Sequence, residues 1–131
     1  MNLQDRFKFK VLIVEDDLYL NEALESMLLD CGYNVFKAED GEKALEILDV
    51  EPIQFVVSDV QMPNKNGFEL LSEIKTSKLN NIDVLMMTGF SHIPREKLMI
   101  LGAVGIISKP DDLVEIPDYI ETARTKSLNT N

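Results

Sequence analysis

The feature that most constrains this chain is an alternation of two kinds of segment. Short apolar runs of strand length fall at residues 11–14, 34–38, 55–58, 84–87 and 104–107. Four of them (VLIV, FVV, VLMM, VGII) are almost unbroken apolar stretches. Such runs suit strands covered on both faces, as in a parallel sheet. The run NVFKA is more mixed and suits an edge. Helix-spaced patterns lie between the runs. Leu20, Leu24, Met27, Leu28 and Cys31 share one stripe, and Gly32 supplies a C-terminal stop. Asp40 is placed to cap a second helix carrying Ala44, Leu45 and Leu48, and residues 67–77 form a third with Leu70, Leu71 and Ile74. Pro94 opens a fourth with Leu98 and Leu101. The last helix falls within residues 112–126 and starts near Pro117 after an irregular turn. Five β-α units in succession imply an α/β fold with a parallel sheet and helices on both faces. Right-handed crossovers then place every strand's carboxyl end on one edge, where ligands bind.

Composition narrows the function classes. The 131 residues are 45% hydrophobic and 27% charged, a balance that suits one domain over 1–131, with a core at about 9–126 and a polar tail at 127–131. The net charge is −10, opposite in sign to that of most nucleic-acid binders, so no direct nucleic-acid contact is expected. The lone Cys31 excludes an internal disulfide and reads as a small core residue. No apolar run approaches the ~20 residues of a membrane span, and residues 1–10 lack the apolar stretch of a secretory signal. The expectation is a cytoplasmic protein with no membrane contact.

The strand ends carry the chemistry. The first run is followed by Glu15-Asp16-Asp17, the third by Asp59, the fourth by Thr88-Gly89 and the fifth by Lys109-Pro110. Carboxylates held close repel one another, and a divalent cation relieves that repulsion. Oxygen ligands without His or Cys nearby favour Mg2+ over zinc. A carboxylate beside Mg2+ is able to attack a phosphoryl group, whose oxygens need positive charge and hydrogen-bond donors of the kind Lys109 and Thr88 offer. Taken singly, each residue has a plainer reading: the acidic run caps a helix, Asp59 opens a turn, and Lys109 lies on the surface. Their joint occurrence at four strand ends carries the argument.

The segments VLIVEDD, FVVSDVQMPNKNGFELL, VLMMTG and GIISKP resemble the receiver domain of two-component response regulators, over nearly the whole chain. The resemblance implies the doubly wound, flavodoxin-like strand order 2-1-3-4-5. It implies Asp59 as phosphoacceptor, with Mg2+ held by Asp16, Asp17, Asp59 and the backbone carbonyl of Gln61. Thr88 and Lys109 would bind the phosphoryl group, and Lys109 would pair with Asp59 before phosphorylation. Pro110 would follow a cis peptide bond. The implied phosphodonor is a sensor histidine kinase or a histidine phosphotransferase. The implied output is a phosphorylation-dependent protein contact, with catalysis limited to the domain's own phosphorylation and dephosphorylation.

Some positions depart from the family pattern. Ile106 stands where an aromatic switch residue is usual, Gly89 where Ala or Ser is, and Asp111-Asp112 where an apolar residue often follows the proline. Phe90 is placed to shield the phosphoryl group from water. Leu98, Met99, Ile100 and Leu101 cannot all face the core, so Met99 and Ile100 are expected outside. His92, the only histidine, is assigned to a surface loop. Two other readings use the same residues: a pseudo-receiver that binds partners without phosphorylation, and a small Mg2+-dependent phosphotransferase acting on free substrates.

Overall fold

A computed structural model describes residues 3–89 and 94–128. The strands are β1 (Lys10–Val14), β2 (Asn34–Ala38), β3 (Phe55–Asp59), β4 (Asp83–Thr88) and β5 (Gly105–Ser108). The helices are α1 (Leu3–Phe7), α2 (Leu18–Asp30), α3 (Gly41–Val50), α4 (Gly67–Lys75), α5 (Arg95–Ile100) and α6 (Ile116–Leu128), with a 3-10 turn at Leu113–Glu115. All adjacent strands pair in parallel, in the order β2-β1-β3-β4-β5. This is the expected doubly wound order, with the mixed run NVFKA on an edge.

The apolar runs are continuous because each strand feeds two cores. Along β1, Val11 and Ile13 face one layer and Leu12 and Val14 the other, as the two-residue period of a strand requires. One core joins Leu12, Val56, Val84, Met86 and Ile106 to Ala44 and Leu48 of α3, Leu70, Leu71 and Ile74 of α4, and Leu98 of α5. The other joins Val11, Ile13, Val57, Leu85 and Ile107 to Leu24 and Leu28 of α2 and to Ile116, Ile120 and Ala123 of α6. β3 is buried along its whole length. Each of its valines removed from water contributes about 1.5–3 kcal/mol. The chain winds both ways from β1, which leaves a crevice between the carboxyl ends of β1 and β3.

The helix boundaries differ from expectation at both ends of the chain. α1 has too few residues to show a period, and its anchorage is polar and aromatic. Arg6 donates to the Cys31 carbonyl at 3.1 Å, lies 3.6 Å from Glu121 and sits over the Tyr33 ring. α6 begins one residue before Pro117, where the proline's missing N–H is harmless, and continues to Leu128 rather than ending near 126. The irregular turn before it is held by Asp112, which accepts from the Ser108 N–H at 3.0 Å and whose own N–H donates to the Ser108 carbonyl at 2.9 Å. Met99 and Ile100 are exposed and Leu98 is fully buried, as expected. Cys31 is only partly buried, at the margin of the second core. Phe90, His92 and residues 129–131 lie outside the described residues.

Candidate functional site

Asp59 ends β3 and is 6% exposed, an unusual depth for a carboxylate. The ladder fixes its backbone, since the Val60 N–H donates to the Met87 carbonyl at 3.0 Å. Its Oδ2 accepts from Lys109 Nζ at 2.9 Å and its Oδ1 from the Gln61 N–H at 3.4 Å. Lys109 Nζ also donates to Glu15 Oε1 at 2.9 Å. One ammonium therefore bridges carboxylates from the first and third strand ends. Lys109 is brought there by its N–H donating to the Thr88 carbonyl at 2.9 Å, and the peptide bond to Pro110 is cis.

Glu15 is wholly buried. Its N–H donates to the Ala38 carbonyl at 3.1 Å, so sheet pairing runs one residue past β1. Asn21 of α2 donates to both the Glu15 and Ala38 carbonyls, at 2.9 and 3.3 Å. The second Glu15 oxygen accepts from the Asp17 N–H at 3.1 Å. Burial pushes the Glu15 carboxyl above its ordinary value and the Asp59 charge adds to that, against the Asp17 and Lys109 hydrogen bonds. Burial alone would lower the Lys109 ammonium. The hydrogen bonds to Asp59 and Glu15 outweigh it, and Lys109 is held above its ordinary value, fully charged at neutral pH.

The metal set expected from sequence is only partly gathered. Glu15, Asp16 and Asp59 each present a carboxylate oxygen, all within 4.8 Å of one another. Asp17 does not join them. It is the N-cap of α2, its Oδ1 accepting from the Tyr19 and Leu20 N–H groups at 3.0 and 3.3 Å. An exposed helix start needs such an acceptor, and the third acid of the run is the one at that position. Glu15 takes its place beside the site.

Gln61 lies on the loop after Asp59 and is among the residues lining the same cleft. Thr88 ends β4 opposite Ser108, half-buried, and is linked to Lys109 through the backbone. The cleft is open, with a volume of about 670 Å3, and Asp17, Tyr19, Asp59, Gln61, Gly89 and Lys109 are among its lining residues. Such a site admits a hard cation and a small tetrahedral anion together. The all-oxygen donor set fits Mg2+, because the three carboxylates carry more negative charge than Lys109 neutralises.

The family model of the response regulator receiver domain matches residues 11–121. The chain belongs to that family. It is 36% identical over 114 residues to the probable transcriptional regulator ycf29 of Pyropia yezoensis, a match covering 86% of this chain and 51% of that protein. It is 37% identical over 112 residues to the response regulator protein FleR of Pseudomonas aeruginosa, covering 85% of this chain and 24% of FleR. The receiver domain thus spans about half or less of these relatives. Among solved structures, it superimposes on the signal receiver domain of a signal transduction histidine kinase from Syntrophus aciditrophicus with a TM-score of 0.84 at 28% identity, covering 94% of this chain and 95% of that one. It superimposes on the chemotaxis response regulator CheY4 of Vibrio cholerae with a TM-score of 0.76 at 27% identity, covering 86% and 98%. Among the described residues of this receiver domain, no helix is long and apolar enough to cross a membrane.

Proposed function

We propose that Asp59 is the phosphoacceptor and takes its phosphoryl group from a phosphohistidine on a sensor histidine kinase or a histidine phosphotransferase. The observation that carries this reading is Lys109 Nζ, held 2.9 Å from both Asp59 and Glu15 with Asp16 beside them. An Asp59 carboxylate oxygen attacks phosphorus, the P–N bond to imidazole breaks, and an O–P bond forms. The electron pair stays with the imidazole, which takes up a proton. Asp16, Glu15 and Asp59, with the Gln61 carbonyl, are the groups that would hold Mg2+, directly or through water. Mg2+, when bound, neutralises charge on the carboxylates and on the incoming phosphoryl oxygens. Lys109 turns from the carboxylates to a phosphoryl oxygen, and the Thr88 hydroxyl donates to another. No further substrate is processed, and catalysis is confined to this transfer and its hydrolysis. Output is a protein contact that depends on phosphorylation. The net charge of −10 makes the receiver surface a poor match for nucleic acid, whatever the remainder of a longer relative does.

The test is incubation with Mg2+ and acetyl phosphate, read by intact mass. The expected result is one phosphoryl adduct, lost in Asp59→Asn and without Mg2+. A wild-type domain that gains no mass would overturn the assignment and favour a pseudo-receiver. Steady turnover of free phosphoester would favour the phosphotransferase.

A further inference from the structure

The loop that carries Gln61 runs over residues 60–66, between Asp59 and α4. Its shape is not set by Asp59 alone. At its apex Asn64 holds a left-handed backbone, with φ 63°, that few residues other than glycine, asparagine and aspartate adopt without strain. From there the Asn64 Nδ2 donates to Asp40 Oδ2 at 3.1 Å. One residue further, the Lys65 carbonyl accepts from the Gly41 N–H at 3.0 Å. The approach is so close that a Cβ on Gly41 would lie 2.4 Å from that carbonyl oxygen. The loop is closed at its base by the Gly67 N–H donating to the Val60 carbonyl at 2.8 Å.

Asp40 is 7% exposed and serves two elements at once. Its Oδ1 caps α3 by accepting from the Lys43 N–H at 2.9 Å, and its Oδ2 faces the loop. The Lys43 N–H is the main cause of its depressed pKa. The Asn64 amide and the Lys43 charge add to the effect against a smaller cost of burial. Asp40 therefore stays an acceptor-only carboxylate throughout the neutral range.

We propose that Asp40 and Asn64 form a clamp that fixes the loop after the phosphoacceptor, making the N-terminus of α3 a positioning element for the cation and phosphoryl site. This rests on the phosphoacceptor reading for its consequence, though not for its geometry. Neither residue touches Asp59. Both act through the backbone of residues 60–66, which carries the Gln61 N–H onto Asp59 Oδ1. Groups of this kind behind a metal site commonly alter affinity by tenfold or more when removed.

The test compares the full chain with three variants. Asn64→Gly keeps the left-handed backbone and deletes the amide. Asp40→Asn keeps an acceptor for the Lys43 N–H but turns a second donor towards Asn64. The pair Asp40→Asn/Asn64→Asp reverses donor and acceptor at unchanged net charge. Mg2+ affinity is measured by calorimetry, and amide exchange of residues 60–66 by NMR in metal-free buffer. Asn64→Gly and Asp40→Asn are each expected to weaken Mg2+ binding about tenfold and to speed exchange at Gln61. The reversed pair is expected to recover both. Overturning results are a lower unfolding midpoint with unchanged Kd and exchange in the folded protein, or a reversed pair no better than its single variants. If the wild type bound no Mg2+, the phosphoacceptor reading would fall, and exchange alone would decide the clamp. Faster exchange in Asn64→Gly upholds it, and equal exchange overturns it.

Discussion

Asp16 and Asp17 are consecutive, both exposed, and chemically identical, yet the fold gives them opposite tasks. Asp17 contributes to stability by satisfying two N–H groups at the start of α2. Asp17→Ala is expected to lower the unfolding free energy by about 1 kcal/mol, read by urea melts, and to leave Mg2+ affinity nearly unchanged. Asp16 has the reverse character. Its carboxylate lies within 4.8 Å of those of Glu15 and Asp59, a repulsion that a bound cation would relieve. Asp16→Asn is expected to raise metal-free stability slightly and to weaken Mg2+ binding about tenfold, so the two substitutions separate capping from ligation in the same pair of assays. Three acids in a row cannot be told apart by type. Which of them turns inward depends on the Glu15 N–H pairing with Ala38 and extending the strand by one residue, a tertiary fact. Gly67 shows the same scale acting through sterics: a Cβ there would lie 2.0 Å from the Asp59 carbonyl oxygen. Gly67→Ala is expected to lose about 1–3 kcal/mol, with slower phosphorylation because the backbone forced aside is that of the acceptor itself.

Among the elements, those with a long apolar stripe were legible and those fixed by polar contacts were not. The five strands and helices α2 to α5 follow from periodicity and from punctuation by the acidic run at Asp17, by Asp40 and by Pro94, while the Asn66 cap of α4 went unread. α1 was illegible because it is one turn long, held by Arg6 against Cys31, Tyr33 and Glu121. The turn before α6 was legible only as an irregularity, because its anchor is one side chain, Asp112, reaching back to Ser108. Ile106 on β5 stands where the family pattern has an aromatic residue. It is 7% exposed and packed in the core shared by α3, α4 and α5, while its carbonyl accepts from Arg95 of α5 at 2.8 Å. Any coupling from Thr88 to α5 must then pass through backbone and aliphatic packing rather than a swinging ring. α3 carries a pH prediction. Asp40, its cap, has a folded pKa below the ordinary carboxylate value, so its contribution to stability is present above the unfolded pKa of about 4 and is lost as pH falls through the folded value. Urea melts of Asp40→Asn from pH 5 to pH 3 are expected to show a shallower fall in stability than the wild type. Parallel curves would mean that Asp40 is not depressed in the folded state.

At the scale of the whole molecule, the alternating runs specify a doubly wound sheet, and that sheet delivers residues from distant parts of the chain to one crevice. Asp59, Glu15 and Lys109 meet because β1, β3 and β5 all run the same way. The site is therefore a product of topology, and its chemistry was legible once strand ends were read together. The clamp from Asp40 to Asn64 was not legible, since no sequence period links the start of α3 to a loop 24 residues away. The net charge of −10 adds a second, diffuse field to the local acidic cluster. The two respond differently to cations. Sodium chloride screens the diffuse repulsion over a distance of roughly 10 Å at 0.1 M and should stabilise the fold gradually without saturating at a stoichiometric point. A specific cation stabilises the folded state by mass action, about 2.7 kcal/mol at a hundred times its Kd, and its effect follows a binding curve. Unfolding free energies measured against Mg2+ at constant ionic strength are thus expected to rise along that curve in the wild type, to rise only at about tenfold higher Mg2+ in Asp16→Asn, and to stay flat in Asp59→Asn. The same rise at the same Mg2+ concentrations in all three proteins would assign the stabilisation to the overall charge and remove the case for a specific cation site at the carboxyl ends of β1 and β3.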